Sequence, residues 1–155
     1  MNYNEVGKPL LRTDAYEKVT GKATYVADIK LPKMLYAKIL RAEHAHAKIL
    51  SIDTSEAEKM PGVRKVVTGQ GCDILFGACI KDQPPLAVDK VRHAGEGVAA
   101  VIAESERQAE EATKKIKVKY EPLPFVIDPL EAIAENASII HERNHEYNRL
   151  PGYPP

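Results

Sequence analysis

Gly97-Val-Ala-Ala-Val-Ile-Ala103, followed closely by Ser105-Glu-Arg-Gln108, decides the fold. A short unbroken run of apolar residues is the signature of a buried strand. Ser105 and Gln108 then stand at capping-box spacing, in which the hydroxyl accepts from the N3 amide and the Gln side chain reaches back. The helix opened there extends to Lys115, and Ala109, Ala112 and Ile116 recur along one stripe of it. Small alanines on that stripe let the helix lie close to a sheet. Ile116, Val118 and Tyr120 next alternate with Lys117 and Lys119, a half-exposed strand. The order is β-α-β: strand 97–103, helix 105–115, strand 116–120. The expected class is α+β with a mixed sheet, its crossover right-handed if the two strands are parallel.

Further strands lie upstream. Met34-Leu-Tyr-Ala-Lys-Ile-Leu-Arg41 carries apolar groups on both faces, so it reads as a strand covered on both sides. Lys48-Ile-Leu-Ser-Ile-Asp53 follows, with Leu50 and Ile52 expected on one face. Thr54 or Ser55 is positioned to cap a short helix reaching Lys59. Pro61-Gly62 ends that helix, and Val63-Arg-Lys-Val-Val67 is a third strand. Ala23-Thr-Tyr-Val-Ala-Asp28 reads as a short strand. Residues 69–85 read as an irregular loop with a helical turn near Ile74-Leu75. Downstream, Pro122 and Pro124 end the ladder for want of an N–H. Asp128 and Pro129 then open a short helix. The expected organisation is an extended arm over 1–22, a domain over 23–140, and a linker or docking strap over 141–155.

The totals narrow the function classes. A chain of 155 residues buries roughly 70% of its unfolded surface, enough for a real core. Lys and Arg (22) balance Asp and Glu (22), so no net field favours nucleic acid or an anionic membrane. No apolar run approaches the roughly 20 residues of a membrane-spanning helix, and no secretory signal is visible at the N-terminus. Cys72 and Cys79 fit neither a CxxC redox pair nor one arm of a zinc site, and read as free thiols in a reducing, cytoplasmic setting.

His44-Ala-His46 is the one pair with metal-ligand character. In an extended segment both imidazoles point to the same side. Zinc needs three or four protein ligands, and the others would have to come from Cys72, Cys79, His93 or distant carboxylates, none at a recognisable spacing. Packing or hydrogen bonding ahead of the strand is the competing reading. His141 and His145 stand at i, i+4 in an Asn-rich tail that argues against a stable helix. Gly95-Glu-Gly97 precedes a strand, whereas a dinucleotide fingerprint follows one and opens a helix; it reads as a turn. Asp28, Asp53, Asp73, Asp82 and Asp89 are scattered at loops and strand ends, where turn and capping roles come first. Glu106, Glu110, Glu111, Lys114 and Lys115 form a solvated helix face.

Taken in order, several segments resemble one family. Val6-Gly-Lys-Pro9 and Arg12-Thr-Asp-Ala-Tyr-Glu-Lys-Val-Thr-Gly-Lys-Ala-Thr-Tyr25 resemble the opening of the large subunit of molybdenum hydroxylases, the xanthine dehydrogenase and aldehyde oxidase family. Residues 34–49, Pro61-Gly-Val63, Asp82-Gln-Pro-Pro-Leu-Ala87, Lys90-Val-Arg-His93, residues 95–103 and Val118-Lys-Tyr-Glu-Pro-Leu-Pro124 continue the match over roughly residues 5–141. The resemblance implies an α/β hammerhead domain, the N-terminal piece of the molybdopterin-binding subunit. It implies a parent that oxidises aldehydes or N-heterocycles with oxygen from water at molybdenum-molybdopterin. Electrons would leave through 2Fe-2S clusters, commonly to FAD, in partner subunits or domains. It places the catalytic glutamate far downstream, so no catalytic, cofactor-binding or metal residue carries over to this chain. Cys72 and Cys79 match no cluster-binding set. Its implied partners are the downstream molybdopterin-binding domains and the iron–sulfur and flavin subunits or domains, not nucleic acid or membrane. On this reading His44 and His46 are structural. The alternative is a self-sufficient small protein, either a metal-binding module using His44, His46 and His93 or a thiol redox protein using Cys72 and Cys79.

Overall fold

The computed structural model describes residues 7–72, 74–77 and 81–141, and the chain falls into two units, residues 1–34 and 35–155. In the first unit, helix α1 (Ala15–Val19) and a 3-10 turn (Val26–Asp28) bury no residue. The stretch expected as an extended arm therefore contains a helical turn. Its signals are local rather than periodic. Asp14 pairs with Arg12 at 2.5 Å and with Lys18 at 2.6 Å, and Gly21 ends the turn at φ +70°. Lys18, with Arg12, holds the Asp14 carboxyl below its ordinary value. The strand expected over 23–28 is also absent. Asp28 accepts from the Tyr25 amide at 3.0 Å and closes the 3-10 turn.

The second unit runs β1 (Tyr36–Arg41), β2 (Ala47–Asp53), α2 (Ser55–Glu58), β3 (Val63–Thr68), β4 (Lys90–Val91), β5 (Gly97–Ala103), α3 (Glu106–Thr113), β6 (Lys117–Pro122) and α4 (Pro129–Ala132). The class is α+β, with the six strands in two antiparallel sheets of order β1-β5-β3 and β4-β2-β6. The three elements of the opening stretch form where the sequence places them, but β5 and β6 lie in different sheets, so the mixed sheet is corrected to two antiparallel ones. Both edges of β5 are taken, by β1 through Ile39↔Ala100 and by β3 through Val67↔Ala100. No edge remains there for β6, which pairs with β2 through Ile52↔Val118 and Ile49↔Tyr120.

A register shift between Ile49 and Ser51 corrects the facing of β2. The extra residue of a bulge is left unpaired and turns its neighbours over. Leu50 is that residue and is 60% exposed, while Ile49 and Ile52 share the covered side. The short helix α2 is capped differently from expectation. Thr54 Oγ1 donates to Glu58 at 2.7 Å, and the amide of Ser55 is taken by Asp53 Oδ1 at 3.0 Å. Hydrogen bonds from the hydroxyl and amide of Ser55 hold the Asp53 carboxyl below its ordinary value. At α3, Ser105 Oγ accepts from the Gln108 amide at 3.3 Å, a cap of a kind that contributes about 1 kcal/mol. The Gln108 carbonyl takes the Ser105 hydroxyl proton at 2.7 Å instead of reaching the backbone.

Two apolar clusters result. One gathers Ala57, Ala99, Val101, Ala112 and Ile116 between the first sheet and α2 and α3. The other gathers Ala42, Ala47, Ala87, Val91 and Val98. Ile52 and Val118 pack against both. Strand β1 is covered on one face only: Tyr36, Lys38 and Leu40 are half-buried, while Ala37 and Ile39 are exposed. The helical turn expected at Ile74-Leu75 is replaced by a bridge in which Phe76 and Gln83 exchange backbone hydrogen bonds.

Candidate functional site

The polar residues singled out above meet at the corner where the chain leaves β1 and enters β2. Ala42 anchors it: its amide donates to Glu96 O at 2.8 Å, and its carbonyl accepts from Gly95 at 2.8 Å. Gly95 takes φ +86°, so the Gly-Glu-Gly segment is a turn before β5, as its placement predicts. Arg41 donates to Gly95 O at 2.8 Å and seals that turn from the other side.

His44 and His46 are engaged separately. The half-buried ring of His44 packs against Tyr120, centroids 4.9 Å apart and tilted by 59°. Burial, with the Glu43 charge adding, pushes the Tyr120 phenol above its ordinary value. His46 is 5% exposed, and its Nδ1 lies 2.7 Å from Pro124 O. A carbonyl can only accept, so Nδ1 carries the proton. The His46 carbonyl also accepts from the Leu123 amide at 2.9 Å. The reason lies in the sequence. Pro122 and Pro124 have no N–H to continue the ladder with β2, and His46 supplies the bonds that fasten this end of β6.

His46 Nε2 is buried without a hydrogen-bond partner among the described residues. A protonated Nδ1 on a carbonyl with a bare Nε2 is also how metal-bound imidazoles are oriented. Coordination needs further ligands, and no group of three His, Cys, Asp or Glu converges on a metal site among the described residues. His93 turns its Nδ1 to Ala94 O at 3.0 Å, and Cys72 is a free, half-buried thiol. Asp73, Cys79 and His145 lie outside the described residues. His46→Phe keeps an aromatic ring but leaves Pro124 O without its donor. It is expected to lower stability by about 1–2 kcal/mol. His44→Phe, which keeps the ring contact, is expected to cost less than about 0.5 kcal/mol. Urea midpoints at constant slope measure both, and equal losses would contradict this division of roles.

Beside the corner is a cleft of about 150 Å³ lined by Arg41, Asp82, Arg92, His93 and His141. Its charges hold one another and the backbone. Arg92 donates to Lys90 O at 3.2 Å and reaches Asp89 at 3.4 Å, and His141 Nδ1 lies 3.4 Å from Asp82. Arg41 and Arg92 carry no motif, and only the structure brings them here.

The sequence profile described as "Aldehyde oxidase and xanthine dehydrogenase, a/b hammerhead domain" matches residues 20–124. The chain belongs to this family. The hammerhead domain is 43% identical over 147 residues to one subunit of a "Probable xanthine dehydrogenase" of Bacillus subtilis, covering 93% of this chain and 20% of that protein. It is 37% identical to the "Nicotinate dehydrogenase large molybdopterin subunit" of Eubacterium barkeri, over 90% of this chain and 33% of that one. Its fold superposes on the crystal structure of a Cu,Mo-CO dehydrogenase with a TM-score of 0.77 at 37% identity, covering 85% of this chain and 17% of that chain. The chain thus spans about a fifth of the length of its Bacillus relative. No helix among its described residues is long and apolar enough to cross a membrane.

The residues present do not fit the family's redox groups. Two cysteines in the whole chain cannot supply the four ligands of an all-cysteine [2Fe–2S] cluster. The cleft of about 150 Å³ is well under the ~300–1,000 Å³ of pockets that enclose a small ligand, too small for molybdopterin.

Proposed function

We propose that this chain is the N-terminal scaffold and assembly domain of a cytoplasmic molybdenum hydroxylase or dehydrogenase. The parent would oxidise aldehydes or N-heterocycles with water as oxygen source. In this reading the arm over 1–22 and the strap over 141–155 flank a domain over 23–140. Molybdopterin sits in downstream domains of the same subunit, and 2Fe-2S clusters and FAD sit in partner subunits or domains. The carrying observation is the family match over a stretch whose candidate site residues are occupied in holding the fold. His46 fastens the end of β6, Arg41 closes a turn, and His44 packs on Tyr120. The many exposed apolar side chains, among them Phe125, Ile127, Leu130 and Ile133, suit a domain that is normally covered by others.

Metal analysis of the purified, untagged 155-residue chain tests this reading. Molybdenum, zinc and copper are all expected well below stoichiometric. Stoichiometric zinc or copper, lost when His44 and His46 are both changed to alanine, would replace the scaffold with a metal-binding module.

A further inference from the structure

The register of the first sheet places six residues on the face turned away from α3. Ala37 and Ile39 of β1 stand opposite Ile102 and Ala100 of β5, which stand opposite Lys65 and Val67 of β3. Directly opposed residues of antiparallel strands point to the same side. Five of the six are apolar, yet Ile39 is 46% and Val67 38% exposed, and Ala37 is exposed beside them. The opposite face of the same strands is covered by α2 and α3 through Ala57 and Ala112. An antiparallel sheet with one face packed normally turns polar residues to water on the other. Here that other face carries a single charge, Lys65.

We propose that this face is the seat of a downstream domain of the same polypeptide, docked through an apolar surface of its own. The inference rests on the scaffold reading above and names the surface through which the scaffold works. Size decides the occupant. Strands ~4.8 Å apart, with two residues each on this side, present a footprint of about 200 Å². A stable complex of free partners needs about 800 Å² per side, so a second copy seated here alone would not hold. A covalently linked domain needs less, because the link supplies a high effective concentration. The Bacillus relative has about four-fifths of its length outside the matched stretch, enough chain to supply such a domain.

Cysteine accessibility tests this. Ile39→Cys, Val67→Cys and Ala37→Cys are made in the 155-residue chain and in the subunit translated from the full reading frame, purified without partner subunits. Glu110→Cys on the solvated side of α3 is the control. Alkylation by a maleimide is followed peptide by peptide by mass spectrometry. Ala37 is small and already exposed, so its variant folds even if the others are weakened. Positions 37, 39 and 67 are expected to react at least tenfold more slowly in the full subunit, with position 110 unchanged. Equal rates at 37, 39 and 67 overturn the docking face while leaving the scaffold reading intact. A dimer of the isolated chain that slows position 39 gives the face to a second copy and also overturns the proposal. A full subunit without molybdopterin sinks the scaffold reading instead, whatever the labelling contrast.

Discussion

Gly69→Ala is expected to lower stability by about 3 kcal/mol, the upper end of what overpacking costs. A β-carbon at this position would lie 2.5 Å from the carbonyl oxygens of both Leu86 and Ala87, and 2.9 Å from the Ala87 carbonyl carbon. All three are backbone atoms, so no side chain can swing aside. The 86–87 segment has to retreat, although the Ala87 amide donates to Gly97 O at 2.8 Å and the Ala87 side chain is fully buried. The substitution therefore strains the attachment of the long 69–89 loop to the start of β5. Gly71→Ala is the control. Nothing lies within 4 Å of its added carbon, and its φ of +77° leaves only a local conformational penalty of about 1 kcal/mol. Thermal melts of the two variants should differ by several degrees per kcal/mol. Equal melting temperatures would show that the loop is not held where the structure has it.

Ala112→Leu is expected to cost about 2–3 kcal/mol, with Glu111→Leu, one position along and exposed, near neutral. Ala112 is fully buried in the cluster with Ala57, Ala99 and Val101. The contact surfaces of α2, α3 and β5 are built there from methyl groups. A leucine adds three carbons where packing is already close, so the helix must lift or the sheet must bend. Urea denaturation resolves a difference of this size. A leucine tolerated at 112 would mean that α3 does not lie on the first sheet.

Much of this architecture is legible in the chain because its signals are local. The apolar run 97–103, the Ser105 cap and the alternation of Ile116, Val118 and Tyr120 each mark an element within a few residues of its position in the structure. Asp128 caps α4 through the amides of Leu130 and Glu131, as the Asp-Pro pair predicts. Pairing is the part that local pattern does not carry. Nothing in residues 97–120 says that β1 and β3 will claim both edges of β5, and β-α-β order then suggests a shared sheet that does not form. The Leu50 bulge is hidden for the same reason, since strict alternation assumes an unbroken register. Spacing also misleads at His44 and His46. Two positions apart means a common side only in a continuous strand, and residues 42–46 form a corner between two. The partner of His46 lies 78 residues away, at Pro124. What made it findable was the pair of prolines, whose missing donors had to be answered by some group nearby.

The central claim is that this domain supplies architecture and the downstream region supplies chemistry. It is tested most directly by translating the parent subunit without residues 1–141 and measuring its molybdopterin content and its turnover with an artificial electron acceptor. The account predicts a subunit that neither accumulates in folded form nor retains the pterin, with turnover at background. A truncated subunit that keeps its pterin and its full kcat/KM would contradict it.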